Sequence, residues 1–153
     1  MKIEIDQSGK IENTNRKTII AFSNGKKGAL VISAKDKKAV QKYFRVIGKP
    51  RLFVHVTFVA LVYLLIKDYI KDHDQIIIDR EYPGYDKLII QLLKSLLKSG
   101  TNTERVSVSV TQIGRKSSAH DLAWRELQFR LQKIAKRVDY NKVIKVIKKS
   151  GSI

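Results

Sequence analysis

The sequence contains no cysteine. That excludes disulfide staples, thiolate metal sites and cysteine nucleophiles, and leads us to expect an intracellular, cytoplasmic protein. It has only two prolines, Pro50 and Pro83, both between apolar segments. With no low-complexity tract, repeat or linker, a single domain over residues 1–153 is expected. Acidic residues are scarce, 14 Asp and Glu against 31 Lys and Arg. Long apolar runs are missing as well. The strongest, Leu52 to Ile66, is interrupted by His55 and Thr57 and falls short of the roughly 20 residues that span a bilayer, so it reads as a buried helix. The first residues, Met1 to Asp6, lack the apolar stretch of a secretory signal. No P-loop, Gly-x-Gly-x-x-Gly or His-Glu-x-x-His motif occurs, and three scattered histidines support no nucleophilic triad.

What is present is charge on a foldable chain. The net charge is +17, yet 43% of residues are hydrophobic, which argues against disorder. Such an excess surrounds a small body with positive potential and favours nucleic acid or an anionic membrane surface as partner. The bases are spread evenly, 15 in residues 1–74 and 16 afterwards, so the field belongs to the whole body.

Periodicity gives the elements. Ile3 and Ile5 alternate with polar residues in a first strand, Lys2 to Asp6, followed by the turn residues Asp6-Gln7-Ser8-Gly9. Thr18 to Ser23 and Ala29 to Ser33 are further strands, joined through Asn24-Gly25 as a hairpin. Helices are expected over Lys35 to Val46, capped by Ser33, and over Arg51 to Lys71. Gln75 to Asp79 reads as a strand covered on both faces. Tyr85 to Lys98 reads as a helix with Gly100 just beyond its end, and Val106 to Val110 as a fifth strand. A long helix is expected over Ser118 to Val138, from the stripe Trp124, Leu127, Leu131, Ile134, Ala135 and Val138, and then a basic helix at about 139–149. This order implies an α/β fold with a mixed five-stranded sheet, a three-stranded antiparallel meander plus two parallel strands, and helices on both faces.

Three acids fall where ligands bind in such sheets. Asp6 ends the first strand, Asp79 ends the fourth, and Asp121 lies in the first turn of the helix after the fifth. Each also has a structural reading: a turn start for Asp6, a solvated strand end for Asp79, a capping-box position for Asp121. In the order Ile3-Glu4-Ile5-Asp6-Gln7-Ser8-Gly9, Ile76-Ile77-Ile78-Asp79-Arg80-Glu81-Tyr82 and Ser117-Ser118-Ala119-His120-Asp121-Leu122-Ala123, the sequence resembles the ribonuclease H-like superfamily over about residues 1–138. The resemblance implies a ribonuclease H-like fold, with Asp6, Asp79 and Asp121 as catalytic metal ligands and Mg²⁺ or Mn²⁺, two ions, as cofactor. Clustered carboxylates suit these oxygen-preferring cations, and two ions roughly 4 Å apart clamp both oxygens of a phosphodiester displacement.

Many members place a Glu in the helix after the meander, where this chain offers only His55. Glu81, two residues beyond Asp79, is the candidate fourth ligand, and Glu4 points to the Asp6 side for the same reason. His120 is a candidate for assisting product release or metal binding. Arg115 and Lys116, just before the Asp121 helix, are placed to hold phosphate, while Tyr82 and Tyr85 beside Asp79 could stack on bases. The implied activity is metal-dependent hydrolysis of phosphodiester bonds in DNA or RNA. Small size and a lysine- and isoleucine-rich composition resemble the small archaeal single-strand exonucleases of the superfamily. A hybrid nuclease or junction resolvase, a homo-oligomer, a non-catalytic basic DNA- or RNA-binding protein and a peripheral membrane protein are the alternatives, with no membrane partner expected.

Overall fold

Isoleucine-rich strands make the centre of the protein. The computed structural model describes residues 1–101, 103–129 and 133–151. Strands β1 (Lys2–Ser8), β2 (Thr18–Ser23) and β3 (Lys27–Ile32) form the antiparallel meander, with Asp6 opposite Ala21 and Ala21 opposite Ala29. On the other side of β1, β4 (Gln75–Asp79) pairs parallel to it, and β5 (Ser107–Thr111) pairs parallel to β4. β1 runs on to Ser8, so Asp6 sits inside the strand instead of opening the turn.

Helix α1 (Ala34–Val46) starts at the Ser33 cap, whose hydroxyl accepts the Asp36 amide. A 3₁₀ turn at Pro50–Leu52 leads into α2 (Phe53–Ile66), which is buried on most sides because it is apolar nearly all round. Helix α3 (Asp86–Thr101) carries Gly100 inside its last turn. No helix among the described residues is long and apolar enough to cross a membrane.

The expected five-stranded sheet has six strands, in the order β5-β4-β1-β2-β3-β6. The helix expected to reach Val138 ends at Gln128, as α4 (Ser118–Gln128), and Lys136–Val138 forms β6, parallel to β3. Phe129 already has extended backbone. The buried Glu126 side chain accepts the amides of Lys133 and Ile134 at 3.1 and 2.7 Å, tying the segment that leads into β6 to the end of α4. The stripe that predicted a longer helix is not one face: Trp124 and Ile134 are 54% and 49% exposed, Leu127 and Ala135 pack against the sheet and Val138 is buried; Leu131 lies outside the described residues. Helix α5 (Tyr140–Lys149), capped by Asp139, follows.

Alternation along the strands divides the sheet into two faces. Ile3, Ile5, Ile76 and Ile78 point into the main core beneath α1, α2, α3 and α5. Glu4, Asp6, Ile77 and Asp79 fall on the other face, where α4 packs Leu122 and Ala123 against Ile19, Ala21, Ala29 and Val31. Fully buried Lys37 of α1 holds the loop between β1 and β2, donating to the Lys10 and Asn13 carbonyls at 3.1 and 2.6 Å and to Thr18 Oγ1 at 3.0 Å.

Candidate metal centre

Parallel pairing of β1 with β4 brings the carboxyl ends of both strands together, and with them Asp6 and Asp79, 73 positions apart in sequence. The chain continues from β4 so that Glu81 returns to the same side. One oxygen from each of Asp6, Asp79 and Glu81 lies within 4.8 Å of the other two. Asp6 is buried, and the other two are half-buried.

Hydrogen bonds fix the group from three directions. Asp6 Oδ1 accepts the Gln7 amide at 2.7 Å, and Asp6 Oδ2 meets His120 Nδ1 at 2.7 Å. Asp79 Oδ1 accepts the Ile113 amide at 2.8 Å, which ties the loop after β5 to the end of β4. The Ser117 hydroxyl accepts the Ala119 amide as the cap of α4 and donates to Glu4 Oε2 at 2.7 Å, locking the start of that helix onto β1. Sequence reading missed the Ile113 and Ser117 contacts. Backbone amides leave no sequence signal, although two adjacent serines before a helix are a cap signal in themselves.

Crowding of like charges in a partly dry site governs the electrostatics. Burial, then the neighbouring Asp6 and Asp79 charges, push Glu81 up to about 7. Asp6 is also raised, chiefly by burial; the Gln7 amide pulls it back down, Asp79 raises it further, and His120 lowers it. An all-oxygen donor set whose charges oppose one another fits a hard divalent cation, which neutralises the repulsion and accepts the geometry.

The remaining candidates are placed differently. Asp121 stands outside the carboxylate group: it is exposed and pairs with Arg125 across one helical turn at 3.1 Å. The reason is helical register. The residues α4 buries are Ala119, Leu122, Ala123 and Glu126, and Asp121 lies about 200° round the axis from Ala119, whereas His120 lies about 100° round, on the flank that borders β1. Tyr82 offers no ring face to a base. It is buried, its hydroxyl takes the Gln7 Nε2 donor at 3.0 Å, and Phe58 and His55 pack against it edge-on. His55 is not part of the carboxylate group; it stacks on Tyr85 at 3.6 Å between centroids, and burial lowers its pKa. Arg115 and Lys116 are exposed on the loop leading into α4.

Comparisons with protein families, curated proteins and solved structures find no match for this chain.

Proposed function

We propose that the protein is a metal-dependent nuclease of ribonuclease H-like fold that hydrolyses phosphodiester bonds in DNA or RNA, with single strands the favoured substrate. The observation that carries this reading is the convergence of Asp6, Asp79 and Glu81 within 4.8 Å toward the carboxyl ends of two adjacent parallel strands, on a body of net charge +17. These three carboxylates would hold Mg²⁺ or Mn²⁺. Bound there, the cation supplies an activated water and charge stabilisation for the leaving oxygen. Asp6 orients His120 through Nδ1, leaving Nε2 as the ring nitrogen to exchange a proton with the reacting groups. Exposed Arg115 and Lys116 directly precede α4, whose His120 reaches Asp6, and with the amino end of that helix they suit a phosphate.

A purely structural role draws on the same hydrogen bonds, because Asp6 and Asp79 each hold a backbone amide. The two readings part in Asp79→Asn. Asparagine keeps an oxygen for Ile113 but removes an anionic ligand, so cleavage of labelled single-stranded DNA or RNA with Mn²⁺ should be abolished while binding persists. Wild-type protein that leaves single-stranded, duplex, hybrid and branched substrates intact with either metal would refute the nuclease.

A further inference from the structure

At the opposite end of the strands from the carboxylates, and on the opposite face of the sheet, lies a cleft of about 1110 Å³. Its walls come from the start of β3, the carboxyl ends of α2 and α3, strand β6 and helix α5, with Leu30, Leu65 and Val146 among its apolar lining. The rim is basic. Seven Lys and Arg residues line the cleft against one acid, Asp68; by strand alternation Arg137, opposite Val31, turns its side chain to the other face of the sheet. None of the seven makes an ion pair among the described residues.

The placement of these charges follows from the sequence of α5. Its buried residues are Val143, Ile144, Val146 and Ile147, so Lys142, Lys145 and Lys149, at spacings of three and four, form one ridge along the cleft. Lys136 of β6, on the same face as Val138, extends the ridge. Helix carboxyl ends carry roughly half a negative charge each, so three of them, from α2, α3 and α5, remove only about 1.5 charges from a surplus of five. The cleft stays strongly positive.

Aromatic rings are fixed beside the ridge. Tyr69, 41% exposed, rests on Phe22 with ring centroids 5.0 Å apart. Phe22 in turn lies over Gly28, where any Cβ would come within 2.2 Å of the ring. Tyr63 is held in the same way, its hydroxyl 2.0 Å from where a Cβ on Gly100 would be. The two glycines therefore provide the space that seats Phe22 and Tyr63, and Tyr69, resting on Phe22, keeps 41% of its surface exposed.

We infer that this cleft is a second nucleic-acid site, which holds a segment of single strand with its phosphates along the α5 and β6 bases and a base against Tyr69. A row of cations beside an exposed ring matches the two components of single-strand binding, backbone charge and base stacking. A duplex hides its base faces and gains only the first. The volume exceeds the roughly 300–1000 Å³ of small-ligand pockets, which favours a tract over a lone nucleotide. The inference rests on the nucleic-acid part of the proposed function for its class of ligand, but not on cleavage.

The test measures anisotropy of labelled oligo-dT and oligo-rU of about 12 nucleotides, in EDTA so that nothing is cut. Lys142→Ala/Lys145→Ala/Lys149→Ala is compared with Lys35→Ala/Lys38→Ala/Lys42→Ala, which removes three exposed lysines at the same spacing from α1, outside the cleft. Circular dichroism confirms that both fold. The α5 triple should lose about tenfold or more in affinity and flatten the slope of log K against log salt by about 2, at 0.7 per phosphate, whereas the α1 triple changes little. Tyr69→Ala should weaken single-strand binding at least about fivefold, with Tyr69→Phe close to wild type. Equal losses in the two triples, or an unaltered Tyr69→Ala, would overturn the site in favour of diffuse charge. Vesicles of anionic phospholipid that lose only the α5 triple, with oligonucleotide binding unchanged, would reassign the cleft to a membrane surface. Intact binding behaviour in a protein that never cleaves would leave this site standing and remove the nuclease alone.

Discussion

Asp6 is a buried carboxylate in the interior of a strand, where a side chain of its size is ordinarily apolar. Its desolvation is offset by one amide and one imidazole, while Asp79 and Glu81 crowd it on the other side. Relief of that crowding should be measurable without any substrate. Glu81→Gln in metal-free buffer at mildly alkaline pH should raise the melting temperature, on the order of 2 °C, because it removes one of three opposed charges. Adding Mn²⁺ should reverse the ranking, since wild type gains binding free energy that the variant has largely lost. Melts with and without Mn²⁺ decide this. Asp121→Asn should cleave like wild type and His120→Ala should be impaired, because only the histidine reaches Asp6.

Elements show how side chains set the path of the chain. Lys37 bonds three acceptors from a site without water contact, and burial lowers its pKa to about 8. Lys37→Met should destabilise the fold by about 3 kcal/mol, as buried carbonyls lose a charged donor. Between about pH 8 and 10.5 the unfolded chain holds the lysine proton that the folded one has released. This group therefore contributes stability that rises with pH through that window. Urea midpoints should show that rise in wild type relative to Lys37→Met. Glu126→Ala should free the turn into β6, accelerating amide exchange at Lys136–Val138 while the β1–β4 ladder stays protected.

The strands β1 to β5 and the starts of α1 and α5 are legible in the sequence, because alternation, continuous apolar runs and caps are local signals. The end of α4 is not. The apolar stripe through Trp124 continued in helical period past residue 128, and what stops the helix is the Glu126 carboxylate closing on amides seven and eight residues ahead. The same stripe put Trp124 with Leu127 on the sheet side, where of the two only Leu127 packs. Reading Ala119, Leu122, Ala123 and Glu126 as the inner face would have brought His120 beside β1 and turned Asp121 to solvent. Asp79 was legible as the end of β4, whereas Asp6, expected at a strand end, sits inside β1 one step beyond the Ile5–Ile78 pair, and the bond from Asp79 to Ile113 is made to a backbone that any residue carries.

For the whole molecule, charge sets association. If the body tracks phosphates, affinity for oligonucleotides should fall linearly on a log–log plot of salt, by about 0.7 per neutralised phosphate on single strands and about 0.9 on duplex. Titrations from low to physiological salt measure this, and a flat response would point to an apolar partner surface. The sheet order has a different consequence. Asp6 and Asp79 ride on β1 and β4, interior strands paired on both sides, while His120 arrives on an eleven-residue helix that lies outside the sheet. On warming, interior ladders open last and peripheral helices first. On the proposed nuclease reading, heat should therefore displace His120 before it separates Asp6 from Asp79, so that loss of cleavage precedes melting and is undone on cooling.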